Sequence, residues 1–282
     1  MPYHLYIANK NYSSWSLRPW LLLRQLGIPF VEHFRPLNGN SYRQPQWREF
    51  SPTGHVPCLH VLPPSPSLED GPSGRGDGEA ADDDDDDDGD AIVVWESLAI
   101  AEYLADAHPT LRVWPACPRA RAWARSACAE MCTSFQAVRN QMGMNVGLRI
   151  ALDKELFALP PDEGEEEEKE RLTDLGRDLA RLDALWREGL GRFGGPFLAG
   201  AEFTAVDAWF APVVLRIQTY GAAMERLGEE AKGYVRRMLA LEGVQEWVEA
   251  AHREKERMEL YERDCTVGKG RRLVEDLRVK GV

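Results

Sequence analysis

The chain has 282 residues, 34 Lys and Arg against 46 Asp and Glu, and a formal net charge of −12. Residues 63–90 hold nearly all of that imbalance, with twelve acids against the single base Arg75, and the rest of the chain sums to −1. This excludes a broadly basic nucleic-acid binder and leaves no whole-surface field to steer ligands.

A hydrophobic content of 44% is enough for a sizeable core. No apolar run reaches the roughly 18 residues of a membrane span. Met1-Pro2-Tyr3-His4 lacks the charged and apolar regions of a secretory signal, so no membrane association and a cytoplasmic location are expected. The five cysteines fit no zinc spacing. No metal is expected, and the thiols should be reduced.

Tyr3 to Ala8 alternates and reads as a first strand. Ser13 and Ser14 precede apolar residues at helical spacing from Trp15 to Leu26, so a serine-capped helix follows, stopped by Gly27. Pro29 to Phe34 reads as a second strand, residues 41–49 as a weak helix, and Val56 to Leu62 as a third strand. Residues 63–90 are rich in Pro, Gly, Ser and Asp and are expected to be disordered. Such an insertion is tolerable at a hairpin tip. Ala91 to Trp95 is a fourth strand, and Leu98 to Ala105 is helical. The order is βαβ followed by ββα, a thioredoxin-like arrangement.

Beyond His108-Pro109 the pattern turns helical. A long helix is expected over 118–152, then a Pro/Glu-rich break over 159–168. A second long helix over 169–193 carries Leu172, Leu175, Leu179, Leu182 and Leu185 on one face. Phe203-Thr204-Ala205-Val206-Asp207 opens another helix, and two more follow near 226–241 and 243–257. The expected division is 1–107 as an α/β domain, 117–258 as an all-α bundle, and 259–282 as a charged, weakly patterned tail.

Three segments stand out: Ser13-Ser14-Trp15-Ser16-Leu17-Arg18, Gly54-His55-Val56-Pro57-Cys58-Leu59, and Glu96-Ser97 opening a helix. Together they resemble the glutathione transferase superfamily. GHVPCL is similar to that family's cis-proline loop, and ESLAIAEYL to its acidic-Ser turn. SSWSLR is similar to the zeta-class SSCSxR signature, with Trp15 in place of Cys. FTAVD resembles the capping motif of the family's helical domain. The resemblance implies a thioredoxin-like N-terminal domain, an all-α C-terminal bundle, and a homodimer.

It also implies glutathione as co-substrate and a small hydrophobic electrophile as its partner. Ser13 matches the catalytic serine, with Ser14 as the rival. A hydroxyl at a helix N-terminus can donate to a thiolate, and the helix dipole favours negative charge there. The plainer alternative is that both serines only cap the helix. Val56-Pro57 would present backbone to the cysteinyl part of glutathione. Glu96 and Ser97 would take its γ-glutamyl end, and Ser97 could also serve as an N-cap. His55 stands where the family often has a longer polar or basic side chain near the glycyl carboxylate. Arg18 reads as a structural ion-pair residue.

The acceptor pocket is sought around Met131, Phe135, Arg139 and Met142–Asn145, with Arg216 and Tyr220 as weaker candidates. Core packing is the competing reading for all of them. The expected activity is conjugation. The alternatives are a cis–trans isomerisation of maleylacetoacetate type and a non-catalytic interaction module. The acidic insert joins the two contact segments at a hairpin tip; if it matters, it is by hanging near the rim of the site, where its negative field would slightly disfavour an anionic ligand.

Overall fold

The computed structural model describes residues 2–37, 44–63, 91–159 and 171–279. The expected disorder of 63–90, apart from Pro63, lies outside the described residues, as does most of the Pro/Glu-rich break.

The N-terminal half contains β1 (Tyr3–Ile7), α1 (Ser14–Gln25), β2 (Phe30–Phe34), β3 (Cys58–Val61), β4 (Ile92–Trp95) and α2 (Ser97–Ala107). The weak helix is a 3₁₀ turn at Pro45–Glu49, and residues 41–43 lie outside the described part. The sheet order is β2-β1-β3-β4, with β1 parallel to β2 and the other pairings antiparallel. This is the thioredoxin-like arrangement expected from the patterning. Period-two alternation splits the sheet into two faces. Tyr3, Leu5, Ile7, Leu59 and Val61 join the main core with residues of α1 and α2. On the other face Cys58 packs with Trp47 and Phe50.

The C-terminal half is mainly helical: α3 (Pro118–Thr133), α4 (Gln136–Gln141), α5 (Asp174–Phe193), α6 (Ala205–Thr219), α7 (Glu229–Leu239), α8 (Glu242–Arg253) and α9 (Glu259–Thr266). Short strands interrupt it: β5 (Leu148–Leu152), β6 (Ala158–Leu159), β7 (Arg171–Leu172) and β8 (Arg271–Asp276). The expected single helix over 118–152 is therefore broken. Thr133 ends α3, and Phe135 sits at φ 60, a left-handed backbone that breaks the hydrogen-bond ladder. Further on, Leu148, Ile150 and Leu152 are buried while Arg149 and Ala151 are half-buried, a strand pattern.

The charged tail is also structured. Strand β8 pairs antiparallel with β5, from Leu148 opposite Asp276 to Leu152 opposite Arg271.

Two helices are buried nearly all round. In α1, Leu17, Trp20, Leu21, Leu22 and Leu23 are at most 2% exposed, because the sheet lies on one side and α6 and α8 on the other. In α6 every residue but Gln218 is buried. Its first turn is held by Asp207, whose carboxylate accepts from the Thr204 N–H at 3.0 Å, the Leu198 N–H at 3.0 Å and the Tyr234 hydroxyl at 3.2 Å. Thr204 and Asp207 thus act as the structural caps their motif implies. Burial pushes the Asp207 carboxyl up to about 6 against those hydrogen bonds. Replacing Asp207 with Ala strands three donors, two of them backbone N–H groups. A thermal melt of Asp207→Ala should show a loss of about 3 kcal/mol, and an unchanged melting temperature would contradict this account.

Candidate functional site

The strand register gathers the three sequence motifs at one edge of the sheet. Tyr6 lies opposite Cys58, and Cys58 opposite Trp95. The loop that follows β1, the Val56-Pro57 bond that precedes β3 and the Glu96-Ser97 turn that follows β4 therefore leave the sheet on the same side. The insert leaves elsewhere. Its flanks follow Val61 and precede Ile92, which face each other at the opposite edge. The insert itself, and with it the expectation that it hangs near the rim, lies outside the described residues apart from Pro63.

Ser13 is the N-cap of α1, and Ser14 is the first helical residue. The Ser13 Oγ accepts from the Ser16 N–H at 3.3 Å and lies 2.7 Å from the Ser16 Oγ. The Ser16 Oγ in turn accepts from the Ala8 N–H at 3.1 Å. A hydroxyl chain thus runs from the end of β1 to the tip of α1. Both serines are half-buried, whereas Ser16 is fully buried.

The Val56-Pro57 peptide bond is cis. Val56 is half-buried, Pro57 buried and His55 exposed. The Ser51 hydroxyl donates to the His55 carbonyl at 2.7 Å and fixes the approach to that bond. Beside it lies a cavity of 470 Å³ lined by Gln44, Pro45, Arg48, Thr53, Gly54 and His55. Arg48 is a base that the motifs did not single out.

Glu96 is exposed and sits at φ 68, a backbone region that costs a non-glycine residue about 1–3 kcal/mol. Ser97 is 2% exposed and opens α2. The cap position belongs to Glu96, which makes no side-chain capping bond. Ser97 is therefore not the N-cap, and the turn brings its N–H to the helix tip with the other unpaired donors.

Trp15, where the resembling motif has Cys, is half-buried between two guanidiniums. That of Arg18 lies 4.0 Å from the ring centroid and that of Arg139 5.4 Å. Among the described residues Arg18 meets no carboxylate, so the ion-pair reading is not met there. Its Nε donates to the Trp209 carbonyl at 3.3 Å, its Nη1 is buried without a partner, and burial lowers its basicity to about 9. Of the acceptor-pocket candidates, Met131, Phe135, Met142, Met144 and Tyr220 belong to the main core. Arg216 is buried and donates to the Met142 and Arg139 carbonyls, while Arg139 is half-buried beside Trp15.

Comparison with known proteins places the fold in a family. Residues 12–107 match the family described as "Glutathione S-transferase, N-terminal domain", and residues 147–242 match "Glutathione S-transferase, C-terminal domain". The chain belongs to the glutathione S-transferase superfamily. Glutathione transferase Omega 3C from Trametes versicolor superposes with a TM-score of 0.54 at 20% identity, over 91% of each chain. Glutathione transferase F2 from Populus trichocarpa gives 0.55 at 16%, over 89% of this chain and 99% of that one. A glutathione transferase homolog from Burkholderia gl BGR1, solved with bound glutathione, gives 0.52 at 18%, over 89% and 98%. At these identities the likeness establishes the fold. No curated protein matches the sequence significantly.

In this transferase fold the serine-bearing loop is anchored from the C-terminal half. Glu254, just beyond α8, accepts from the Lys10 N–H at 2.5 Å and the Asn11 N–H at 3.2 Å. The Tyr12 hydroxyl donates to Glu262 at 2.5 Å. These acids lie more than 240 residues from their partners, and no local pattern points to them. Burial pushes Glu254 up from 4.5 to about 7, opposed by its two backbone hydrogen bonds and by Lys10. The folded chain then holds this proton more tightly than the unfolded chain, so Glu254's contribution to stability falls as pH rises from about 4.5 to about 7. Glu254→Gln has no such proton. Urea melts at pH 5 and pH 8 should show the variant gaining on the wild type by on the order of 2 kcal/mol at the higher pH. A difference that does not change with pH would refute the assignment.

Proposed function

We propose that this superfamily member binds glutathione at the common edge of β1, β3 and β4 and adds its thiolate to a small electrophile. The observation that carries the reading is the hydroxyl relay at the tip of α1. With Ser16 accepting from the Ala8 N–H, its own proton is free to point at the Ser13 Oγ. Ser13 then accepts from Ser16 twice, through N–H and O–H, and its own proton is free to donate to a thiolate. The positive end of α1 adds to the same effect, so the thiol ionises more readily near pH 7. Ser14, one residue on, lies on the helix itself and is the alternative donor.

The remaining contacts follow from the same edge. The cis bond turns the Val56 backbone towards the cysteinyl part of the ligand, with Pro57 fixing the turn. The Ser97 hydroxyl and the N–H groups at the α2 tip suit the γ-glutamyl carboxylate, and Glu96 its ammonium group. His55 and Arg48 line the adjoining cavity, which suits the glycyl carboxylate. Trp15, flanked by Arg139 from the helical half, would floor the acceptor side. The same reading includes a cytoplasmic homodimer.

Calorimetry with glutathione on the wild type, Ser13→Ala, Ser14→Ala and Ser97→Ala tests the reading. Wild-type binding is expected, with turnover reduced about a hundredfold in Ser13→Ala, the scale of losing one donor to a developing anion. No binding in the wild type would leave only a non-catalytic module. Normal turnover in Ser13→Ala with loss in Ser14→Ala would move the catalytic role by one residue. A panel holding both an aryl halide and a cis-dienone acid separates conjugation from isomerisation.

A further inference from the structure

The segment beyond the matched domains reaches the tip of α1. The C-terminal family match ends at residue 242, yet α9 and β8 lie beyond it. Glu262 of α9 is the hub of this segment. One of its oxygens accepts from the Tyr12 hydroxyl at 2.5 Å and from the Asn145 Nδ2 at 3.2 Å. The same oxygen takes the Nη1 of Arg278, and the other takes its Nη2 at 3.0 Å. Arg278 is fixed in turn by Asp276 of β8, whose carboxylate it meets at 2.7 Å through both Nε and Nη2.

Tyr12 is the residue before Ser13. Its ring is 2% exposed and stacks on Tyr261 with centroids 5.0 Å apart, and its hydroxyl also accepts from the Met258 N–H at 3.4 Å. Tyr12 N–H and Ser13 N–H both donate to the Asn9 carbonyl, at 3.1 and 2.8 Å, so the two residues move as one turn. A displacement of the Tyr12 ring therefore displaces the Ser13 Oγ and its relay to Ser16.

We propose that Glu262, acting through Tyr12 and held by Arg278, is the positioning residue that sets the Ser13 hydroxyl for the bound thiolate. The C-terminal α9–β8 segment is then a working part of the site and not an appendage. This rests on the reading of Ser13 as the thiolate donor. Glu262 touches no ligand, so its removal should act on the ionised thiol more than on glutathione binding. Its carboxylate holds the phenol as a donor, and burial together with this hydrogen bond keeps Tyr12 protonated.

The test compares the full-length wild type with Glu262→Gln, Glu262→Asp and Tyr12→Phe. Glutathione affinity is read by calorimetry, the bound thiolate by its ultraviolet absorbance against pH, and turnover with an aryl halide. Glu262→Gln should leave affinity within about twofold, raise the pH at which the thiolate appears, and lower kcat about tenfold, as a misplacement well short of 1 Å would. Tyr12→Phe should do the same, and Glu262→Asp should recover part of the loss. An unchanged thiolate profile and kcat in Glu262→Gln would overturn the proposal. So would a loss of affinity and melting temperature with no shift in the thiolate profile, since that marks a structural role only. A wild type that binds no glutathione would overturn both this proposal and the reading beneath it.

Discussion

The loop from Asn9 to Ser13 can leave water only if its backbone donors and acceptors find partners. The Tyr12 and Ser13 N–H groups go to the Asn9 carbonyl, the Tyr12 and Ser13 carbonyls accept from the Ser14 and Leu17 N–H groups, and the partners of Lys10 and Asn11 lie in the other half of the chain. Lys10 N–H and Asn11 N–H go to Glu254, the Lys10 carbonyl takes the Trp247 Nε1, and the Asn11 carbonyl takes the Val146 N–H. The Asn11 side chain bridges the Ala251 carbonyl and the Gly147 N–H. An unpaired buried backbone group costs about 1–3 kcal/mol, so these bonds fix the loop relative to the helical half. The start of α1 is thereby set by residues far along the chain, and the position of its capping serine with it.

The same constraint accounts for what surrounds α1. A helix buried on nearly every side offers little solvent-facing stripe for its polar residues. Arg18 therefore lies under Trp15 and against a carbonyl of α6. Removing a guanidinium from water without a carboxylate is costly, and stacking on an indole offsets part of that cost. Trp15 thus has a structural reason to occupy a position where the resembling motif has a small thiol. Arg216 shows the same solution within α6, its charge satisfied by carbonyls where α4 meets the following loop.

These cases show which parts of the molecule can be read from sequence. The strands β1, β3 and β4, the serine cap, the Val-Pro bond and the Thr204–Asp207 cap are marked by neighbours within a few residues, and the patterning of 3–34, 56–62, 91–95 and 203–207 carries them. The break at Phe135 depends on a backbone angle that no apolar period encodes. The strand over Arg271–Asp276 pairs through its backbone with Leu148–Leu152. Its five exposed positions from Arg272 to Asp276 remove the alternation that would mark it. The roles of Glu254 and Glu262 arise only when the chain closes. They look like solvated charges, because the loop residues they hold, Lys10, Asn11 and Tyr12, lie more than 240 residues away.

The acidic insert is a case in which the fold changes the meaning of a sequence feature. In the sequence it joins the Val56-Pro57 and Glu96-Ser97 motifs, which suggests proximity to both. In the hairpin those segments meet at Cys58 and Trp95, while the insert is tethered where Val61 meets Ile92. Four residues of strand separate the two edges, about 10 Å along the sheet. Chain length at such a tip adds loop entropy only logarithmically. A hairpin can therefore accept a long insertion at one end while the Val56-Pro57 and Glu96-Ser97 turns sit at the other.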